Sequence, residues 1–210
     1  MVMVGEFTGK NVARIEALGW GRMWIARGRN IYTYPGEPWG FDNGAFRDWV
    51  SGAAFNADAY RVSLAKALAN PEPPALAVIP DVPGDGPATL RMAETWWPEL
   101  PKHFPWFLAV QDGLEPADLE PWATRIAGVF LGGTNAYKAR AGEWAAWCRD
   151  KGLRFHYGRA GTMEKVSHAI EVGADSLDSA LPMWTEERWH RFVGAITNGP
   201  PQADLFRAAS

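Results

Sequence analysis

Short apolar runs recur along this 210-residue sequence, and each one ends at a polar or glycine-rich turn. Runs of strand length that are almost continuously apolar are typical of strands buried on both faces of a parallel sheet. We therefore predict buried strands at residues 76–79, 107–110, 129–131, 153–157 and 175–177.

Helical patterns separate these runs, at residues 87–97, 139–151, 162–172 and 185–196. Gly152 and Gly173 follow two of them and are suited to end a helix, while Thr162 is suited to begin one. A strand followed by a helix, repeated at least five times, predicts parallel strands joined by right-handed crossovers.

The first 75 residues add two to three further units. Helices are predicted at 11–18 and 56–69, extended segments at 22–26 and 30–34, and a strand end with its turn at 41–46. We predict an α/β fold, a compact or trimmed (β/α)8 TIM-type barrel with parallel strands, in which residues 1–210 form a single barrel domain. Such barrels usually need roughly 250 residues, so an open doubly wound sheet is the competing architecture.

Composition narrows the classes of function. A formal net charge of -3 gives no global attraction to nucleic acid, so any such contact would need a local patch. Cys148 is the only cysteine, which excludes an internal disulfide and a cysteine-rich zinc site and fits a reducing compartment. Residues 1–10 lack the pattern of a signal peptide, and no apolar run approaches the roughly 20 residues of a membrane span. We expect a cytoplasmic protein without a membrane partner.

Familiar cofactor and metal motifs are missing. The four histidines have no metal-ligand spacing, and neither a phosphate-binding P-loop nor a dinucleotide-binding glycine motif occurs. A serine nucleophile elbow is also missing. The sequence therefore predicts neither a metal nor a cofactor.

Polar residues at the ends of the predicted strands form the candidate site, because parallel α/β folds bind ligands there. Such aspartates can instead cap helices or shape turns, although capping does not explain Gln111 and Arg159. The glycines at 132–133 and 158–161 could let a backbone approach an anion, or could serve turn geometry alone. The candidates are Asp42, Asp81, Gln111, Asp112, Thr134, Arg159 and Asp178.

Basic and aromatic residues leave two further alternatives open. The basic residues between 138 and 165, together with Arg22, Arg27 and Arg29, could form a phosphate-binding patch or a solvated helix face. Among twelve tryptophans, Trp39, Trp96 or Trp97 could stack on an extruded base, although filling the core is the commoner role.

Several of these segments resemble a known family in the same order along the chain. Residues 41–46 (Phe-Asp-Asn-Gly-Ala-Phe) resemble the Asp-Ser-Gly-Gly-Phe segment of tRNA-guanine transglycosylases. Residues 109–113 resemble their Val-Gln-Gly-Gly turn, and 129–133 their Ile-Gly-Gly turn. Residues 157–164 and 173–182 are similar to the family's Met-Gly-Val-Gly-Thr-Pro-Glu and Gly-Val-Asp-Met-Phe-Asp-Cys-Val-Leu-Pro stretches.

The resemblance implies a (β/α)8 barrel that exchanges guanine for a 7-deazaguanine base in nucleic acid. Asp178 would be the nucleophile that attacks the ribosyl C1′, and Asp42 the general acid/base at the departing or incoming base. Asp81 would hydrogen-bond the edge of the purine-like ring. The remaining substrate-binding residues would be Gln111, Gly132, Gly133 and Arg159.

Departures from the family favour DNA over tRNA as the partner. The tRNA enzymes carry a zinc-binding, cysteine-rich insert after the nucleophile, whereas residues 183–210 contain no cysteine. Zinc-free relatives that place 7-deazaguanines in DNA resemble this chain better. Met183-Trp184 stands where the family has Thr-Arg, so a phosphate contact would be lost or moved.

Other functions stay open at this stage. The chain could be a TIM-barrel enzyme acting on a small nucleoside or phosphorylated substrate, with residues 158–161 gripping the phosphate. It could also be a nucleic-acid-binding barrel without catalytic activity. A short barrel with an acidic pI could further work as a homodimer or with a partner subunit.

Overall fold

Eight short parallel strands close into a barrel in the computed structural model, which describes residues 1–5, 11–27 and 30–198. Each strand pairs with the next, and the last pairs with the first through Met3 and Asp178. The predicted (β/α)8 barrel is confirmed, and the open doubly wound sheet is wrong. The strands are β1 (Val2–Val4), β2 (Gly21–Ile25), β3 (Gly40–Asp42), β4 (Leu76–Val78), β5 (Trp106–Val110), β6 (Gly128–Leu131), β7 (Arg154–Tyr157) and β8 (Ser176–Ser179).

Helices surround the barrel unevenly, which explains its small size. No α-helix occurs in the described residues between β2 and β3, and a 3-10 helix (Pro116–Trp122) alone spans the connection from β5 to β6. The α-helices are α1 (Val12–Ala17), α2 (Ala45–Val50), α3 (Ala57–Leu68), α4 (Gly86–Trp96), α5 (Asn135–Lys138), α6 (Ala141–Lys151), α7 (Met163–Glu171) and α8 (Glu186–Asn198). Among the described residues, no helix is long and apolar enough to cross a membrane.

Local signals in the sequence determine where several helices begin and end. The side chain of Asp85 accepts the Ala88 N–H at 2.9 Å at the start of α4. Thr162 caps α7 in the same way, as predicted. Gly152 ends α6 in the left-handed conformation with φ +67°, which glycine adopts at little cost.

Large and small side chains alternate between neighbouring strands inside the barrel. A Cβ on Gly21 would lie 2.6 Å from Met3 Sδ, and one on Gly128 would lie 2.4 Å from Phe107 Cε1. Glycine on one strand thus makes room for a large residue on the next, which fills the interior as a core. The buried apolar residues of this inner cluster are Met3, Met23, Leu76, Val78, Phe107, Ala109 and Phe130.

A second and larger apolar cluster lies between the strands and the helices, and it contains most of the tryptophans. Trp39 is fully buried and Trp96 is almost so, so neither can stack on an extruded base. Trp97 is partly buried beneath the side chains of Lys102 and Arg125. Filling the core is therefore the role of Trp39 and Trp96.

Candidate active site

The strand-end residues meet at one end of the barrel, because parallel strands share their carboxyl ends. Asp42 ends β3, Gln111 follows β5, and Asp178 lies near the end of β8. Electrostatic interaction couples Asp42 to Asp178 and Asp81, and the Arg159 guanidinium to all three carboxylates. This barrel end brings three carboxylates and the Arg159 guanidinium into a common site.

Asp178 is held by two donors on a single oxygen. His156 Nε2 lies 3.0 Å from Asp178 Oδ1, and the Arg159 backbone N–H donates to the same oxygen at 2.9 Å. Among the described residues, no hydrogen bond involves Oδ2. Burial alone would raise the pKa of Asp178, but His156, the Arg159 N–H and the charge of Lys138 together lower it below its usual value. The carboxylate is therefore ionised and oriented, and among the described residues its Oδ2 accepts no hydrogen bond.

His156 positions Asp178 from inside the barrel. Its ring is fully buried and stacks on Phe130, with the ring centroids 4.8 Å apart. Burial lowers the pKa of His156, although Asp178 opposes the change. A neutral imidazole that donates from Nε2 to Asp178 must accept at Nδ1, where Ser176 Oγ lies 2.8 Å away. The Ser176–His156–Asp178 chain of hydrogen bonds thus fixes the carboxylate.

Asp42 has the opposite electrostatic environment. Burial raises its pKa to about 7, and the negative charges of Asp178 and Asp81 act in the same direction. The Gly44 N–H donates to Asp42 Oδ1 at 2.6 Å and partly opposes this change. Gly44 has φ +81°, so the turn after β3 requires a residue that tolerates the left-handed region. A carboxyl group with a pKa near 7 can both give and take a proton at neutral pH.

Asp81 and Gln111 form a buried polar network with Asn43. Gln111 Nε2 donates to Asp81 Oδ2 at 2.5 Å, and Asn43 Nδ2 donates to Asp81 Oδ1 at 2.8 Å. Burial nevertheless raises the pKa of Asp81 above its usual value. Because both oxygens already accept a hydrogen bond, the side chain has a single orientation.

Gly132 and Gly133 bring the next loop against this network. The Gly133 N–H donates to Gln111 Oε1 at 2.6 Å, and the Gly132 N–H donates to the Val110 carbonyl at 3.0 Å. A Cβ on Gly132 would lie 2.4 Å from Gln111 Nε2, which is closer than any real contact. Both N–H groups are therefore engaged, and the missing side chains at the two glycines make room for Gln111, Tyr137 and Asp112.

Arg159 crosses the mouth of the barrel. Its guanidinium lies 3.8 Å from the ring centroid of Phe46, at the start of α2, and Nη2 donates to the Gly133 carbonyl at 3.1 Å. Its backbone has φ +52°, the left-handed region that is unfavourable for a residue with a Cβ. The strained backbone directs the N–H toward Asp178 while the side chain spans three strand-end loops.

The glycine-rich turn at 158–161 is engaged inside the protein. The N–H groups of Gly158, Ala160 and Gly161 donate to the carbonyls of Leu131, Asp178 and Arg159. With the Arg159 N–H directed to Asp178, all four donors of the turn are used, so this turn does not grip a phosphate through its backbone.

The basic residues of the sequence do not form one patch. Lys138 is buried, its ammonium donates to the Gly158 carbonyl, and burial lowers its pKa to about 7. Arg22 pairs with Glu37 in the interior. Several others are paired with carboxylates: Arg27 with Asp48, Arg140 with Glu115 and Glu143, and Lys151 with Glu120. Arg29 lies outside the described residues.

Asp112 and Thr134 connect two loops at this end of the barrel. Asp112 accepts the Thr134 N–H at 2.8 Å and the Thr134 hydroxyl at 2.5 Å, which ties the loop after β5 to the loop after β6. Thr134 also caps α5. In the described ranges, no three histidine, cysteine, aspartate or glutamate residues are arranged to hold a metal ion.

Comparison of the chain with protein-family models, with curated proteins and with solved structures found no match. The structure itself establishes an eight-stranded parallel barrel, which is a fold that many enzymes have.

Two residues of the site were missed by reasoning from the sequence. His156 looks like one more residue of a buried strand, and Lys138 looks like part of a basic surface. One signal was available for His156. Side chains alternate along a strand, and His156 lies two residues before the turn that contains Arg159, so it shares a strand face with the start of that turn. No comparable signal was available for Lys138, because its burial depends on packing against β7.

Proposed function

We propose that this protein is a glycosyltransferase that exchanges a purine-like base in nucleic acid through a covalent bond between the sugar and Asp178. One observation carries the proposal. An ionised, oriented carboxylate and a carboxyl group with a pKa of about 7 occupy the same end of the barrel. Two carboxyl groups whose pKa values are driven apart are the arrangement by which glycosidic bonds are commonly cleaved.

The reaction follows from these two environments. Asp178 Oδ2 attacks C1′ of the sugar, the bond from C1′ to the base breaks, and the departing base takes a proton from Asp42. The incoming base then gives a proton to Asp42 and attacks C1′, and the Asp178 carboxylate leaves. Asp42 returns to its starting state, so the exchange needs no cofactor and consumes no water.

The base would lie against the Asp81 network. Asp81 offers carboxylate lone pairs to the edge of a guanine-like ring, and Gln111 holds the carboxylate in place. Gly132 and Gly133 would shape the base pocket indirectly, by letting Gln111 and Tyr137 pack closely, rather than by supplying N–H donors. Arg159 would contact the substrate from the opposite side of the mouth, where it already lies over Phe46.

DNA is the substrate that we favour, with a 7-deazaguanine as the incoming base. The attacked C1′ must reach a site within the barrel mouth, so the target nucleotide must be flipped out or single-stranded. The resemblance to the transglycosylases supports the choice of a 7-deazaguanine as the base. The lack of cysteine in residues 183–210 supports DNA rather than tRNA as the polymer. A second copy or a partner subunit would extend the contacts with the polymer.

Incorporation of radiolabelled guanine or a 7-deazaguanine base into DNA, and separately into tRNA, tests the proposal. Asp178→Asn keeps an Oδ1 acceptor for His156 and Arg159 but loses the charge, and we expect the rate to fall by at least about 10³-fold. Asp150→Asn, a matched change at an exposed position on α6, should leave the rate unchanged.

A denaturing gel should also show a protein–DNA adduct that the Asp178→Asn variant does not form. Label uptake that survives in Asp178→Asn would refute the covalent mechanism. No uptake into either polymer by a folded protein would favour a barrel enzyme with a small substrate, or a barrel that binds without catalysis.

A further inference from the structure

A groove with a volume of about 350 Å³ lies beside the mouth of the barrel, outside the carboxylate site. Its walls are the start of α7, the short 3-10 helix Leu181–Met183 and one face of α8. Thr162, Glu164, Trp184, Arg188 and Arg191 supply its polar and aromatic side chains. None of these residues has a role in the chemistry proposed above.

Trp184 forms an exposed aromatic surface in this groove. The residue is 57% exposed, although the core of this protein buries most of its other tryptophans. The Arg188 guanidinium lies 4.6 Å from its ring centroid, a distance at which cation–π attraction holds the two side chains together. A rigid ring with an arginine against it is a surface on which a nucleobase can stack.

Two arginines of the groove form no salt bridge in the part of the chain that the structure describes. Arg188 and Arg191 are exposed and one turn apart on α8, so their side chains lie on the same face. Neither forms an ion pair there, whereas Arg61, Arg125 and Arg140 each bind a glutamate. The groove therefore offers two guanidinium groups to an anion.

One carboxylate opposes them, because Glu164 lies on the wall formed by α7 and interacts with Arg191. Two guanidinium groups against one carboxylate leave a net positive charge. On a chain whose formal net charge is -3, such a site attracts phosphate only locally.

The groove is joined to Asp178 by hydrogen bonds. Ser179, the residue after Asp178, donates from Oγ to the Ala160 carbonyl at 2.7 Å and accepts the Leu181 N–H at 3.1 Å. These bonds tie the loop after β7 to the loop after β8, and each loop forms one wall of the groove. A polymer whose sugar reaches Asp178 would pass along this groove.

We propose that the groove binds a nucleotide of single-stranded DNA next to the nucleotide whose base is exchanged. Its base stacks on Trp184, and its phosphate binds Arg188 and Arg191. This inference rests on the proposed function for the identity of the polymer, but binding can be measured without base exchange.

The test is the affinity of the full-length chain for a fluorescein-labelled single-stranded oligonucleotide, measured by anisotropy with no free base present. We expect Trp184→Ala to weaken binding roughly tenfold, since stacking of one base on an aromatic ring contributes about 1–3 kcal/mol. Arg188→Ala and Arg191→Ala should each reduce the slope of log K against log salt by about 0.7.

Arg149→Ala is the matched control, because Arg149 is exposed in the last turn of α6, at the opposite end of the barrel. Circular dichroism of each variant separates lost binding from lost folding. The inference is overturned if the wild-type chain does not bind the oligonucleotide, or if the three groove variants bind as Arg149→Ala does.

Base exchange measured in parallel separates the two proposals. If the groove variants weaken binding but the chain has no exchange activity, the proposed function is refuted and the proposal for the groove stands. If exchange depends on Asp178 but the groove variants change neither exchange nor binding, the proposed function stands and the proposal for the groove is refuted.

Discussion

Asp42 and Asp178 both follow buried strands, yet their surroundings drive their pKa values in opposite directions. Asp178 accepts hydrogen bonds from His156 and from the Arg159 N–H, whereas Asp42 accepts a single N–H and is close to two other carboxylates. Number and type of donors, rather than burial, distinguish the two groups. The difference has a consequence for stability that does not depend on any function.

The contribution of Asp42 to the free energy of unfolding should fall as the pH rises from about 4 to about 7. The folded state keeps a proton on Asp42 up to about pH 7, whereas the unfolded state releases it near the usual carboxyl pKa. This contribution is therefore complete below about pH 4 and lost above about pH 7, and it is on the order of a few kcal/mol.

Urea unfolding across this pH range, compared between wild type and Asp42→Asn, measures the effect. The variant should lack this part of the pH dependence, because asparagine does not titrate and can still accept the Gly44 N–H. Asp85→Asn is the control, since asparagine caps a helix as well as aspartate does. Identical pH dependence in wild type and Asp42→Asn would contradict the raised pKa.

His156→Leu tests whether the buried imidazole positions Asp178. Losing the ring donor should raise the pKa of Asp178, because that hydrogen bond is the largest effect lowering it. We expect the acid limb of the kcat/KM profile for base exchange to move to higher pH, with a loss of roughly 10- to 100-fold in rate. A uniform loss of activity at every pH would assign His156 a purely structural role.

Two glycines, Gly132 and Gly142, differ in their packing although the sequence alone does not distinguish them. Gly132→Ala would place a Cβ against Gln111 and break its bonds to Asp81 and Gly133, with an expected loss of about 1–3 kcal/mol. Gly142→Ala, within α6, meets nothing closer than 4.0 Å and should stabilise by about 0.5–1 kcal/mol. Thermal unfolding of both variants measures this, and equal effects would contradict the packing of Gln111 on Gly132.

Strands and helices with a clear local pattern could be predicted from the sequence. The strands from β4 onward were found because each is an apolar run that ends at a turn, and the helices α4 and α7 because each has its cap. β1 was missed because three residues carry too little pattern. An extended segment predicted at 30–34 forms no strand, since no neighbouring strand pairs with it.

For the candidate site, the sequence predicts positions better than it predicts contacts. Asp42, Gln111 and Asp178 could be chosen because closed parallel barrels gather their strand ends. The partner of Asp178 could not, because His156 reaches it only through the packing of β7 against β8. Trp184 was missed as a binding surface, since exposure of one tryptophan among twelve is decided by tertiary packing.

Charge balance over the whole molecule limits how it can hold a polyanion. The chain has a formal net charge of -3, and many of its surface cations are paired with carboxylates. Such pairs include Arg14 with Glu186, Arg61 with Glu99, and Arg125 with Glu94. These cations would have to break an ion pair before they could release a counterion from DNA, so few phosphate contacts are expected.

We therefore expect a shallow salt dependence for single-stranded DNA. If Arg188 and Arg191 make the main phosphate contacts, the slope of log K against log salt should be about -1.4, or about -0.7 for each phosphate that is neutralised. Oligonucleotide titrations over a range of sodium chloride concentrations measure it. A slope steeper than about -4 would contradict this, because it would require phosphate contacts from several cations besides Arg188 and Arg191. A shallow slope that Arg188→Ala reduces further would support a phosphate contact at Arg188.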